Sequence, residues 1–121
     1  QATLFRYQLQ RYQERLSSLS NLGLPLERPY AYHSYHLYPV RLTQAERRKE
    51  AYRKLRQAGI GVQVHYIPVY WHPFMQAMGY KKGLCPAAED FYSRLLSLPI
   101  YPGLREEEHH QVIRILKEVV C

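Results

Sequence analysis

Cysteine is almost missing from this chain: Cys85 and Cys121 are the only two in 121 residues. With no CxxC spacing and no framework of paired thiols, both are expected to be free, in a reducing compartment. Long apolar runs are missing too. None approaches the roughly 20 residues that span a bilayer, and nothing resembles a signal peptide, so the cytoplasm is the expected location and a membrane is not an expected partner. GxGxxG, Walker and GxSxG patterns do not occur, which removes the sequence case for dinucleotide, P-loop and serine-hydrolase chemistry. Acids are scarce, 10 against 17 Lys and Arg, for a net charge of +7. That balance favours anionic partners. Apart from a cluster between Arg47 and Arg56, however, the cations are scattered, and a solvated basic surface is the simpler expectation. Without an RNP-type aromatic strand or a GXXG clamp, nucleic acid is a disfavoured partner.

Histidine and tyrosine are plentiful. The six histidines include the close pairs His33/His36 and His109/His110, but neither pair has the i, i+4 spacing of a helical zinc site, so no metal site is expected. His109 and His110 follow three glutamates in an early helical turn, which predicts a solvated face. Cys85, just ahead of a helix, reads as an ordinary flanking residue rather than a nucleophile. The twelve tyrosines suit a surface that is part dry and part wet, such as a ligand-binding face or an interface with another domain.

The chain is organised around residues 58–73, AGIGVQVHYIPVYWHP. Ala58-Gly59 reads as a helix stop. From Val62 a period of two sets in. It places Val62, Val64 and Tyr66 on one face of a strand and Gln63, His65 and Ile67 on the other. Pro68 ends the pairing, and the loop beyond carries Tyr70, Trp71 and His72. A strand that hands a histidine and a tyrosine to such a loop predicts the wall of a site.

Around this stretch the pattern is one of helices and short strands. Phe5, Leu9, Tyr12, Leu16 and Leu19 form the stripe of an amphipathic helix over residues 3–19. Residues 20–32 read as an irregular connection. Ser34 to Leu42 reads as a strand, at an edge or with a bulge because of Pro39. Thr43 and Glu46 have capping-box spacing before a helix that buries Ala45, Tyr52 and Leu55. One short helical turn is expected within 71–79. A helix from Pro86 should carry Phe91, Leu95 and Leu96 inward, followed by an extended Leu98–Pro102. A last helix, opened by Glu106–Glu108, should bury Val112, Ile113, Leu116, Val119 and Val120. The expected fold is α+β: a small, mostly antiparallel sheet with helices packed on one face.

The motifs HSYHLYPVRL (33–42), LRQAGIGVQVHYIPV (55–69), HPFMQAMGY (72–80) and PAAEDFYSRLLSLPIYPGL (86–104) resemble the C-terminal small domain of the DegT-type, pyridoxal-phosphate-dependent nucleotide-sugar aminotransferases. The likeness is greatest to the branch that makes pseudaminic acid precursors. It covers nearly the whole chain, with residues 1–19 matching the helix that leads out of a large domain and 33–121 matching the small domain. The resemblance implies transfer of an amino group from glutamate to a UDP-linked 4-keto-6-deoxy amino sugar by a homodimer. His65, Tyr66 and Tyr70 would contact the sugar. Pyridoxal phosphate (PLP) would be held mainly by the large domain, because Lys49, Lys54, Lys81, Lys82 and Lys117 lie in polar helix faces and a turn, where no Schiff-base lysine is expected. No catalytic, cofactor or metal residue is therefore expected in these 121 residues, which should be inactive alone. The alternative from a different class is a stand-alone basic module that binds an anionic ligand, a nucleotide sugar or single-stranded nucleic acid.

Overall fold

A computed structural model of the chain describes residues 2–120, with the side chains of residues 5–120. Cys121 lies outside the described residues. In chain order the elements are helix α1 (Ala2–Leu16), strands β1 (Leu22–Gly23) and β2 (Tyr38–Leu42), helix α2 (Ala45–Gln57), a 3-10 turn (Val69–Trp71), helices α3 (Pro73–Ala77) and α4 (Pro86–Arg94), strand β3 (Leu95–Leu98) and helix α5 (Glu106–Val120). The strands form an antiparallel sheet in the order β1-β2-β3.

Register decides which side of this sheet is dry. Leu22 faces Leu42, Val40 faces Leu96 and Tyr38 faces Leu98. These residues join Leu9, Tyr12 and Leu16 of α1, Ala51 and Leu55 of α2, and Val112, Ile113 and Leu116 of α5 in one core. Because successive strand residues point to opposite faces, Gly23, Pro39, Arg41 and Ser97 look the other way. The α+β class and the one-sided helical layer are as expected.

β2 is the middle strand, not an edge. Its proline is tolerated because β1 covers only Arg41 and Leu42, leaving the Pro39 end of β2 with a single neighbour. Three further expectations change. The capping box does not form: Gln44 is the N-cap, with no side-chain cap bond, and the Thr43 N–H is turned to the Asn21 carbonyl at 3.0 Å. Closing the β1–β2 end therefore takes precedence over capping. In α2 the fully buried positions are Ala51 and Leu55, while Ala45 and Tyr52 are half-buried. Leu95 and Leu96 belong to β3, since α4 stops at Arg94 and the chain turns extended without a breaker; Phe91 stays 39% exposed.

The stretch from Val62 does not form a strand of its own. It makes one antiparallel bridge, Gln63 with Ser97, and then leaves the sheet. Gly59, at φ +82°, closes α2 in the left-handed region, as the sequence predicts. The far end of α5 is held by side chains from elsewhere. Asn21 Nδ2 donates to the Val120 carbonyl at 2.8 Å, and an Arg47 guanidinium N–H donates to that of Val119 at 3.3 Å. Both bonds satisfy carbonyls that a helix end leaves open, and Arg47 adds positive charge where the helix dipole favours it.

Candidate functional site

Beside the end of β3 and the Gly61–His65 segment lies a groove of about 210 Å³, whose lining includes His36, Gly61, Gln63, His65, Ser97 and Tyr101. The Gln63–Ser97 bridge fixes its floor: Ser97 N–H donates to Gln63 O at 2.8 Å and Gln63 N–H donates to Ser97 O at 3.3 Å. The alternation read from the sequence survives over Val62–His65. It puts Val62 in the core and turns Gln63 and His65 toward the groove.

His65 is half-buried, with its ring 4.6 Å from that of Tyr66 and its Nδ1 lacking any hydrogen-bond partner. Tyr66 does not continue the inward face, because pairing has already ended; it stands 66% exposed beside the groove. Ser97 is 4% exposed, and its hydroxyl is also unpartnered. Both atoms are buried behind the groove wall rather than displayed in it, which is unusual, since buried polar groups are nearly always hydrogen-bonded. His65 thus lines the groove, and Tyr66 is not among its lining residues. Ser97, Gln63, His36 and Tyr101 are the other polar residues of the lining, beside Leu37, Leu98, Pro99 and Ile100; the sequence reading did not single out Ser97. Strand alternation across Leu95–Leu98 would have set it apart from Leu96 and Leu98.

Tyr70 is placed differently. It is 8% exposed and absent from the groove lining. Its hydroxyl donates to Glu89 Oε1 at 2.5 Å and accepts the Cys85 N–H at 3.1 Å. Glu89, in the first half of α4, also accepts from Gly83 N–H at 2.5 Å and Trp71 Nε1–H at 3.3 Å. The Tyr70 hydroxyl and the Gly83 amide hold this carboxyl below its ordinary range. One carboxylate thus ties the 3-10 turn and the 80–84 turn to α4, and the loop next to the groove is shaped by it. Glu89→Gln is expected to loosen this tie. Amide hydrogen exchange across residues 70–84 should quicken while that of α5 is unchanged, and unaltered protection in the loop would remove Glu89 from this role.

The remaining histidines clarify what the site is not. His109, expected on a solvated face, is 2% exposed. It stacks on Tyr12 at 4.1 Å, and its Nε2–H donates to the Gln8 carbonyl at 3.2 Å. A signal for this was present: His109 precedes Val112, Ile113 and Leu116 by three, four and seven residues, the spacing of their own face. Next to it, Arg11 donates to Glu106 and to His110, pinning α1 to α5. Among the described residues no cluster of three or more metal-ligating side chains forms, and no helix is long and apolar enough to cross a membrane.

A lysine that forms an imine with PLP works in a shielded pocket, where desolvation lowers its pKa. Here none of the five lysines is buried. Lys54 pairs with Glu50 at 3.4 Å, and Lys82 lies over the Trp71 ring at 4.5 Å. The residues of this chain do not fit a covalent cofactor site, and the groove offers no cation for a phosphate.

Comparison with known proteins accounts for an enzyme-like wall that lacks this lysine. The family model for DegT/DnrJ/EryC1/StrS aminotransferases matches residues 6–117. An uncharacterized protein of Methanocaldococcus jannaschii is 37% identical over 114 residues, 90% of this chain and 29% of that protein. The UDP-4-amino-4,6-dideoxy-N-acetyl-beta-L-altrosamine transaminase of Campylobacter jejuni is 40% identical over 78 residues, 60% of this chain and 19% of that enzyme. Among solved structures, DesV of S. venezuelae superposes with a TM-score of 0.85 at 32% identity, covering 96% of this chain and 31% of DesV. The chain therefore spans under a third of the length of the relatives it matches, and it belongs to the DegT/DnrJ/EryC1/StrS aminotransferase family.

Proposed function

We propose that these 121 residues are the small domain of a PLP-dependent nucleotide-sugar aminotransferase, and that the groove beside His65 and Tyr66 receives the sugar. The observation that carries this reading is the groove itself, whose polar lining of His36, Gln63, His65, Ser97 and Tyr101 lies next to the exposed Tyr66 ring. In this reading α1 joins the small domain, residues 33–121, to a large domain that carries the lysine and the cofactor. The exposed rings of Tyr30, Tyr32, Tyr66 and Phe74 are surface suited to that domain or to the other half of a homodimer. In this reading the amino donor is glutamate and the acceptor a UDP-linked 4-keto-6-deoxy amino sugar; the likeness to a UDP-4-amino-4,6-dideoxy-N-acetyl-beta-L-altrosamine transaminase of Campylobacter jejuni supports a UDP-linked sugar. His65 and Tyr66 contact the sugar. Tyr70, with its hydroxyl committed to Glu89, supports their loop from behind.

The cofactor would supply the electron sink for amino transfer, and this chain would bind and orient the acceptor and keep water from it. The test compares the 121-residue protein with a longer polypeptide that includes it. The short chain mixed with PLP should show neither a bound-cofactor absorbance band nor glutamate-dependent amination of a UDP-4-keto sugar; the long one should show both. Turnover by the short chain would overturn the reading, and so would its absence from the long one.

A further inference from the structure

The span that carries His65 and Tyr66 is held from its two ends. Among the described residues, 64–67 form no backbone–backbone hydrogen bond, and of these side chains only Val64 packs on the core. At the near end Gln63 is bridged to Ser97 of β3. At the far end the Tyr70 hydroxyl donates to Glu89 Oε1 at 2.5 Å and accepts the Cys85 N–H at 3.1 Å. Ser97 and Glu89 lie on one unbroken stretch of chain, because α4 ends at Arg94 and β3 begins at Leu95. Both anchors of the span thus belong to the same piece of the molecule.

The near anchor is backbone and accepts any side chain. The far anchor depends on one carboxylate. Glu89 Oε1 also takes the Trp71 Nε1–H at 3.3 Å and the Gly83 N–H at 2.5 Å. Lys82 lies over the Trp71 ring at 4.5 Å, and Tyr92 meets that ring edge-on at 5.5 Å. The helix dipole accounts for an acid in the first turn of α4. It does not account for three donors from the loop converging on a single oxygen, where bonds to an ionised acceptor are about twice as strong as neutral ones.

We propose that Glu89 is a positioning residue for the amino acceptor. Acting through Tyr70, it fixes the far end of the 63–70 span and so sets where His65 and Tyr66 stand; it touches no substrate itself. This rests on the reading of the chain as part of a nucleotide-sugar aminotransferase and adds to it how that wall is kept in place. A displacement of about 1 Å transmitted from a distant residue can cost about 100-fold in rate. Freedom at residue 70 therefore weakens capture of the sugar and spares glutamate, which has no sugar for these two rings to meet.

The test uses the longer polypeptide, with glutamate as donor and a UDP-4-keto sugar as acceptor. Glu89→Ala should raise the KM for the acceptor at least about fivefold, while the KM for glutamate and the bound-cofactor absorbance stay as in the parent. Tyr70→Phe, which removes the hydroxyl between Glu89 and the span, should raise it by a similar factor. The double variant should be no worse than Glu89→Ala alone, since both changes break one contact. Glu89→Gln, which keeps the acceptor oxygen without the charge, should fall between parent and alanine. In 15N spectra of the 121-residue protein the His65 and Tyr66 amides should move alike in Glu89→Ala and Tyr70→Phe, with Leu96 and Ile113 unmoved. The proposal is overturned if the acceptor KM is unchanged, if both KM values rise together, if the double variant multiplies the single effects, or if the two amides stay in place. A parent without amination overturns the aminotransferase reading and this proposal together; an active parent with any of those results overturns the proposal alone.

Discussion

Between pH 7 and pH 5 the protein is expected to lose roughly 2 kcal/mol of stability through one side chain, His109. Burial pushes its pKa down from 6.5 to about 4, opposed in part by the bond to the Gln8 carbonyl. The neighbouring charges of Arg11, His110 and Arg15 act in the same direction as burial. Since that carbonyl can only accept, the proton of the neutral ring sits on Nε2, and a second proton would have to go to Nδ1, which has no partner. Above pH 6.5 the ring is neutral whether the chain is folded or not, and His109 contributes no pH dependence. From 6.5 down to about 4 the unfolded chain takes up a proton that the folded one refuses, so stability falls. Below 4 both states carry it and the loss is complete. Glu89, Glu106 and Glu108, all held below the ordinary carboxylate value, contribute stability that is lost mainly below about pH 4.5, beneath the window in which His109 acts. Urea midpoints for the parent and His109→Phe, measured at half-unit steps from pH 7 to 4.5, check this. The parent should fall steeply and the variant stay nearly flat. Parallel curves would refute the assignment.

The second large effect lies across the same contact. Tyr12 is fully buried in the core, stacked on His109 at 4.1 Å and on Tyr38 at 4.9 Å, and its hydroxyl donates to the Pro99 carbonyl at 2.7 Å. It ties α1 to α5, to the sheet and to the segment leaving β3 at once. Tyr12→Ala is expected to cost about 3–5 kcal/mol, the range for deleting a large ring from a packed core. Tyr12→Phe keeps the stacking and gives up one hydrogen bond, leaving the Pro99 oxygen in want of a donor, for a cost of about 1–2 kcal/mol. Chemical denaturation of the three proteins at pH 7 separates the two terms. Equal losses would mean that the hydroxyl, not the ring, holds α1 in place.

These residues also show how far the sequence could be read. The stripe of α1 as far as Leu16 and the inner face of α5 follow from period, and the glycine stop of α2 from backbone freedom. The structure keeps all three but ends α1 at Leu16, so that Leu19 packs on the core from beyond the helix. The α5 face was read too narrowly, because three glutamates beside His109 suggested solvent while its spacing from Val112 and Leu116 pointed inward. Two other misreadings have a common origin in competition for backbone groups. Thr43 had the right spacing for a cap, but its N–H was needed to close β1 on β2. Leu95 and Leu96 fit a helix as well as a strand, and only pairing with Val40 and Arg41, more than fifty residues upstream, decides for the strand. The site suffers from the same limit. His65 and Tyr66 stood out by residue type, whereas Ser97 matters only because Gln63 is bridged to it, and no local pattern announces that.

The anchoring of the α5 end has a practical bearing on cloning. Val119 and Val120 are core residues whose carbonyls are gripped by Arg47 and Asn21. Recombinant versions cut back by even one helical turn would unlace both grips and remove two residues from the core. A purification tag should therefore never take the place of the final turn of α5.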